Sequence, residues 1–236
     1  MTFIPAVTLT AGAASGDRIE KGSGMSSAVV VSEADFDSVI DKSSGEYWKW
    51  DGPNKTPTLY PRYSKGPITF LGDTPVVLEI ADDADISIVG AGGSWAALFS
   101  AASLTIKGTG TLNLTNDGNS AYGLLVKSPG TLTIEGGVDL IVSVSGEYGQ
   151  GIQASSGITI NTTGTVYAES TTSGFAINTN GNLNIRQGTV TTGNSGSSGD
   201  VTGDLIVDSS TANATINGNV TGDHDVSDGV VTVTGD

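Results

Sequence analysis

Aromatic rings and carboxylates are the side chains of this sequence best able to do chemistry. Five of the nine Trp and Tyr residues, namely Tyr47, Trp48, Trp50, Tyr60 and Tyr63, fall within 17 positions, with Lys49 and Arg62 among them. Flat indole and phenol faces stack on the CH surfaces of sugars or fill pockets on a protein partner, at little cost in side-chain entropy. Tyr47, Trp48, Trp50, Tyr60, Arg62 and Tyr63 are therefore the candidate contact residues for a glycan or a protein, the competing use being to plug the end of a core. Acidic clusters come next. Asp82, Asp83 and Asp85 share one turn, and Asp223, Asp225 and Asp228 lie near the C-terminal end. Oxygen ligands at alternating positions suit Ca²⁺, although neither cluster completes an EF-hand loop and solvated turn carboxylates have the same appearance.

Other chemistry is harder to build. The chain has no Cys and one His, His224, which removes disulfides, thiol nucleophiles, zinc ribbons and multi-histidine metal sites. Ten basic and 25 acidic residues give a net charge of −15, the opposite of what a phosphate backbone needs, so nucleic acid is not an expected partner. No apolar run approaches the ~18–20 residues of a membrane-spanning helix. Residues 1–16 lack a basic start and contain Pro5, unlike an export signal.

The elements that must position these residues come from a repeat. The segments beginning at Leu104, Leu132, Ile158 and Leu183 align, each opening on an apolar pair (Leu104/Ile106, Leu132/Ile134, Ile158/Ile160, Leu183/Ile185) at spacings of 28, 26 and 25 residues. A constant period places further copies at Leu78/Ile80, Leu205/Val207 and Val231/Val233. A second apolar run follows in each repeat (Ile86/Ile88, Leu112/Leu114, Leu140/Val142, Val166, Val190), and in most a third (Leu98, Leu124/Val126, Ile152/Ala154, Ala176/Ile177). Short alternating runs separated by Gly, Asn, Ser and Asp read as three strands and three turns. The spacing therefore predicts an all-β, right-handed, single-stranded parallel β-helix of about six or seven coils, in preference to a β-sandwich.

The first 75 residues differ. Residues 27–31 read as a strand, and residues 33–42 as a helix capped by Ser32. An aromatic, Pro-rich loop follows over 44–67, then a strand around Ile68–Leu71. The expected domains are thus an N-terminal arm and cap over 1–75 and the β-helix over 76–236. Charge divides near the same place: residues 1–65 carry 7 basic and 8 acidic groups, the remainder 3 and 17. The N-terminal part is the expected contact end and the solenoid an acidic, solvated stalk.

The coil phrases SLTIKGTGTLNLTNDGNSAYGLLV, TLTIEGGVDLIVSVSGEYGQGIQA and GITINTTGTVYAESTTSGFAI resemble the pectin-lyase-like β-helix repeats of bacterial surface and carbohydrate-binding proteins. Similar coils occur in phage fibre, tailspike and head-decoration proteins. The resemblance covers residues 76–207 and implies the β-helix fold and a non-enzymatic or polysaccharide-related role. Lyases and polygalacturonases of this fold need carboxylates on one face with Arg or Lys beside them. Here Asp139, Glu147 and Glu169 occupy different offsets of successive repeats, and only Lys107, Lys127 and Arg186 are cationic. No catalytic residue and no required cofactor is therefore expected. The expectation is a structural or adhesive protein, a homotrimer attached through its N-terminal region to a capsid or other virion protein and exposed on the virion surface. The alternative is a polysaccharide-binding module on a bacterial cell surface, with a lyase or hydrolase third.

Overall fold

The computed structural model describes residues 67–70, 75–82, 84–90, 95–171, 173–194 and 197–235. It also describes the backbone of strands Leu9–Thr10, Arg18–Ile19, Trp48–Asp51, Thr56–Leu59 and Ser64–Lys65. The proposed helix over 33–42, the strand over 27–31 and residues Tyr47, Tyr60, Arg62, Tyr63 and Asp83 lie outside the described residues.

The architecture is an all-β parallel solenoid of about five turns, and the described residues contain no helix. Its logic is visible in one rung. In Leu112–Asn113–Leu114, the two leucines are buried and the asparagine between them is not, because neighbouring side chains of a strand leave on opposite faces. One coil cannot cover that apolar face, so the next coil is laid on top with like residues in register.

Each coil contributes strands to three parallel ladders. In the first, Ile106 stands over Leu78 and is followed by Ile134, Ile160, Ile185 and Val207. In the second, Ile86 leads to Leu112, Leu140, Val166, Val190 and Ala214. In the third, Leu98 leads to Leu124, Ile152, Ile177 and Val201. Every residue of these columns is fully buried, so the core is a continuous aliphatic cylinder. The second column narrows along its length from Ile and Leu to Val and then Ala.

The coils shorten as well. First-ladder partners Val76, Leu104, Leu132, Ile158, Leu183, Leu205 and His224 succeed one another at 28, 28, 26, 25, 22 and 19 residues. A constant period therefore misplaces both ends. Val76 and Leu78, not Leu78 and Ile80, stand opposite Leu104 and Ile106. The shift is two residues, which keeps the same face inward. Val231 and Val233 belong to the second ladder opposite Ala214 and Ile216, while His224 and Val226 face Leu205 and Val207 in the first.

Part of the segment read as an aromatic loop is strand. Trp48–Asp51 and Thr56–Leu59 form an antiparallel hairpin with Trp48 opposite Leu59 and Trp50 opposite Pro57. Thr58 and Leu59 then pair with Glu79 and Ile80, and Ser64 and Lys65 with Ser87 and Ile88, joining this segment to the first and second ladders. The predicted strand near 68–71 is found at Ile68–Phe70, at the start of the third ladder. At the other end, strand His224–Val233 leaves Val226, Val230 and Val233 exposed, and Val226 and Val233 line a hollow with Leu205 and Val220.

Candidate binding surface

With the three inner columns aliphatic and no charged residue among the buried ones described, chemistry is sought on the outer faces of the ladders. The first face carries ions paired between rungs. Lys107 lies 3.2 Å from Glu79 and Arg186 lies 3.9 Å from Asp208. Two of the three cations of the stalk are thus already engaged with carboxylates, and Lys127 forms no ion pair among the described residues.

The second face holds a hydrogen-bonded network around Glu169. Ser143 and Glu169 are register partners, and the Ser143 hydroxyl donates to Glu169 Oε1 at 2.6 Å. Tyr167, two residues earlier and on the same outward side, donates to Oε2 at 2.6 Å. Asn194, from the next coil, donates through Nδ2 to the same oxygen at 2.7 Å and to the Tyr167 hydroxyl at 3.0 Å. Burial alone would push the Glu169 carboxyl up. Hydrogen bonds from Ser143, Tyr167 and Ser197 outweigh it and hold the group below its ordinary value. Burial and the hydrogen bond to Glu169 push the Tyr167 hydroxyl up. A carboxylate held ionised by this many donors stitches coils together and is a poor proton donor.

Asp139 and Glu147 do not join it. Asp139 Oδ1 accepts the Thr165 backbone N–H at 2.6 Å at the opening of a second-ladder strand, and Glu147 lies in the turn leading to the third ladder. The offsets read from the sequence therefore correspond to separate places on the surface.

The acidic turns are also tied to neighbouring coils. Asp82 Oδ1 accepts from Thr109 at 2.6 Å, and Asp85 Oδ1 from Asn113 at 2.8 Å. Asp223 and Asp225 flank exposed His224 on the last rung. Asp228 Oδ1 accepts the Gly229 N–H at 2.9 Å. Among the described residues no group of three or more His, Asp or Glu is placed to hold a metal ion. Trp48 and Trp50 occupy alternate positions of one strand of the hairpin.

The third face differs in kind. Its strands, Ile68–Phe70, Ala96–Ser100, Tyr122–Val126, Gln150–Ala154, the 175–179 segment and the short pairs at Val201 and Val220, contain no Asp, Glu, Lys or Arg. A local break in alternation creates its outer surface. Ala97 and Leu98 are both buried in the central core, as are Ala176 and Ile177, which leaves Ala96, Phe99, Tyr122 and Leu125 in a separate apolar cluster. The Trp95 ring sits 5.0 Å from Phe99 and meets Tyr122 edge-on at 6.1 Å. Amides continue the face along the axis. Asn178 Nδ2 donates to Gln150 Oε1 at 2.7 Å, and the Thr202 hydroxyl donates to Asn178 Oδ1 at 2.5 Å.

Sequence reasoning did not single out this cluster, because Tyr122 lies a coil away from Trp95 and Phe99 and joins them only once one coil is stacked on the next. The repeat phase carried the signal, since Tyr122 follows Ala96 by one coil. Comparison with protein-family models, curated proteins and solved structures gives no match to the chain.

Proposed function

We propose that this chain is a non-catalytic structural or adhesive protein of an exposed surface, a head-decoration or fibre-type protein of a phage virion attached through its N-terminal region. In this reading the solenoid is right-handed, belongs with the pectin-lyase-like repeats, and reaches six or seven coils once the short strand pairs at its ends are counted. The N-terminal residues, with their helix, are its cap and its attachment to a capsid or other virion protein, and three copies associate.

The observation that carries the reading is the uninterrupted aliphatic column. Among the described residues that column is filled by its own side chains, and the carboxylates outside it are dispersed or hydrogen-bonded between coils. Columns of this kind present and space other surfaces. The near-neutral, aromatic N-terminal residues and the acidic stalk fit a division between attachment and display. No cofactor is needed; Ca²⁺ at Asp82, Asp83 and Asp85 or at Asp223, Asp225 and Asp228 would serve only to relieve repulsion.

A second reading, a bacterial cell-surface module that binds polysaccharide through Trp48, Trp50, Tyr60 and Tyr63, draws support from the hairpin that sets the two Trp residues at alternate positions. Removal of residues 1–24 separates the readings. The virion reading expects the shortened protein to keep its melting temperature, lose its mass as an assembly in sedimentation and no longer co-purify with particles. Unchanged assembly and attachment contradict it. Turnover of a uronic-acid polymer by the purified protein contradicts both.

A further inference from the structure

We propose that the outer face of the third ladder, from Trp95 through Tyr122 and Gln150 to Asn178 and Thr202, is a binding track for a neutral polysaccharide. The proposal goes beyond the virion reading and does not depend on how the N-terminal region is attached. It begins with charge. The first-ladder strands carry Glu79, Lys107, Glu135 and Asp225, and the second-ladder strands Lys65, Asp85, Asp139 and Glu169, whereas the third-ladder strands carry none. On a chain of net charge −15, an uncharged strip along the axis is the place where an uncharged polymer meets least competition from ordered ions and water. Asp117, Glu147 and Lys127 border it in the turns, so an anionic polymer gains no consistent partner.

The chemistry of the strip fits sugar on both counts that recognition needs. Trp95, half exposed and braced by Phe99 and Tyr122, offers a held aromatic plane for the CH face of a pyranose. Beyond it, the Gln150–Asn178–Thr202 chain uses Gln150 Oε1 and Asn178 Oδ1 as acceptors, and leaves the Gln150 amide N–H groups to donate to hydroxyls. The coil repeat of about 4.8 Å lines these groups up along the axis, as a linear polymer requires.

A strained residue stands beside the track. Tyr148 has φ of 55° and is 58% exposed, at the turn position that Ser120 (φ 54°) fills one coil earlier. A bulky side chain is disfavoured in the left-handed region, and one displayed to solvent there returns little to packing. Contact with a ligand would account for an exposed ring directly preceding Gly149 and Gln150.

Calorimetry with the full-length protein tests the track, using soluble neutral glucan, mannan and xylan oligosaccharides, with polygalacturonate oligomers as the charged comparison. Binding of at least one neutral series is expected. Trp95→Ala should weaken it about tenfold or more, and Trp95→Tyr should restore part of it. The Gln150→Ala/Asn178→Ala variant should weaken it too, and serves as the readout if Trp95→Ala melts early. The proposal is overturned if no neutral series binds, if polygalacturonate binds as well as the neutral series, or if Trp95→Ala folds and binds like the parent. A Trp95→Ala protein that sediments as a smaller assembly assigns the face to a second copy of the chain and overturns it equally.

Discussion

Gly108 shows how closely single residues are held in this fold. Its φ is +119°, and a Cβ there would overlap the backbone carbonyl of Ile80 on the coil below; Gly136, one coil later, repeats the positive φ. Gly108→Ala should therefore lower stability by about 1–3 kcal/mol, read as a shifted urea midpoint with unchanged slope. Glu169 gives a pH-dependent counterpart. Its folded carboxyl is held below the unfolded value, so its contribution is present above the unfolded value and is lost as pH falls through the folded one. Glu169→Gln should thus unfold less steeply with acid below about pH 4.3, the ordinary Glu value, with the difference between variant and parent largest near neutrality. Equal acid sensitivity of the two proteins would show that the Ser143, Tyr167 and Ser197 donors do not hold this group ionised.

At the scale of the strand, residues with two-residue periodicity were legible from sequence because burial follows it directly. The Leu112/Leu114 and Leu140/Val142 pairs lie where their alternation puts them, fully buried. What the sequence concealed was change of period. Coils contracting from 28 to 19 residues make a fixed repeat drift, which misassigned Val231 and Val233 to the first ladder. The outer aromatic cluster was hidden for a related reason. Trp95, Phe99 and Tyr122 share no local pattern, and the paired inward residues Ala97 and Leu98 break the alternation that would have marked the outer side. Likewise Asn116, polar yet inward-facing, is buried and holds its own turn, donating to the Tyr122 carbonyl at 3.0 Å and accepting the Gly118 N–H at 3.1 Å. Stacking makes each rung answerable to two others. Ile134 lies between Ile106 and Ile160 with no exposed surface, so Ile134→Ala should cost about 2–5 kcal/mol by chemical denaturation. A loss well under 1 kcal/mol would mean that the coils close over the gap.

Over the described residues the molecule is a column made by repetition, with its differences kept on the outside. Charge occupies two ladder faces, aromatic and amide groups the third, and the hairpin of Trp48–Asp51 and Thr56–Leu59 adds an antiparallel element beside the first ladder. The proposed display role and the proposed sugar track both require that adjacent coils run parallel in the stated register. The absence of native Cys allows a clean chemical test of that register. Thr105 and Thr133 are partners on adjacent coils, and Thr159 is the partner of Thr133 one coil further on. Partner Cα atoms on neighbouring strands lie within reach of a disulfide, whereas positions two strands apart, about 9.6 Å at the ladder spacing, do not. Mild oxidation of Thr105→Cys/Thr133→Cys should close an intramolecular disulfide and raise the melting temperature, while Thr105→Cys/Thr159→Cys should stay reduced. Free thiols in the first protein, or equally ready closure in the second, would contradict the solenoid and every surface assigned from it.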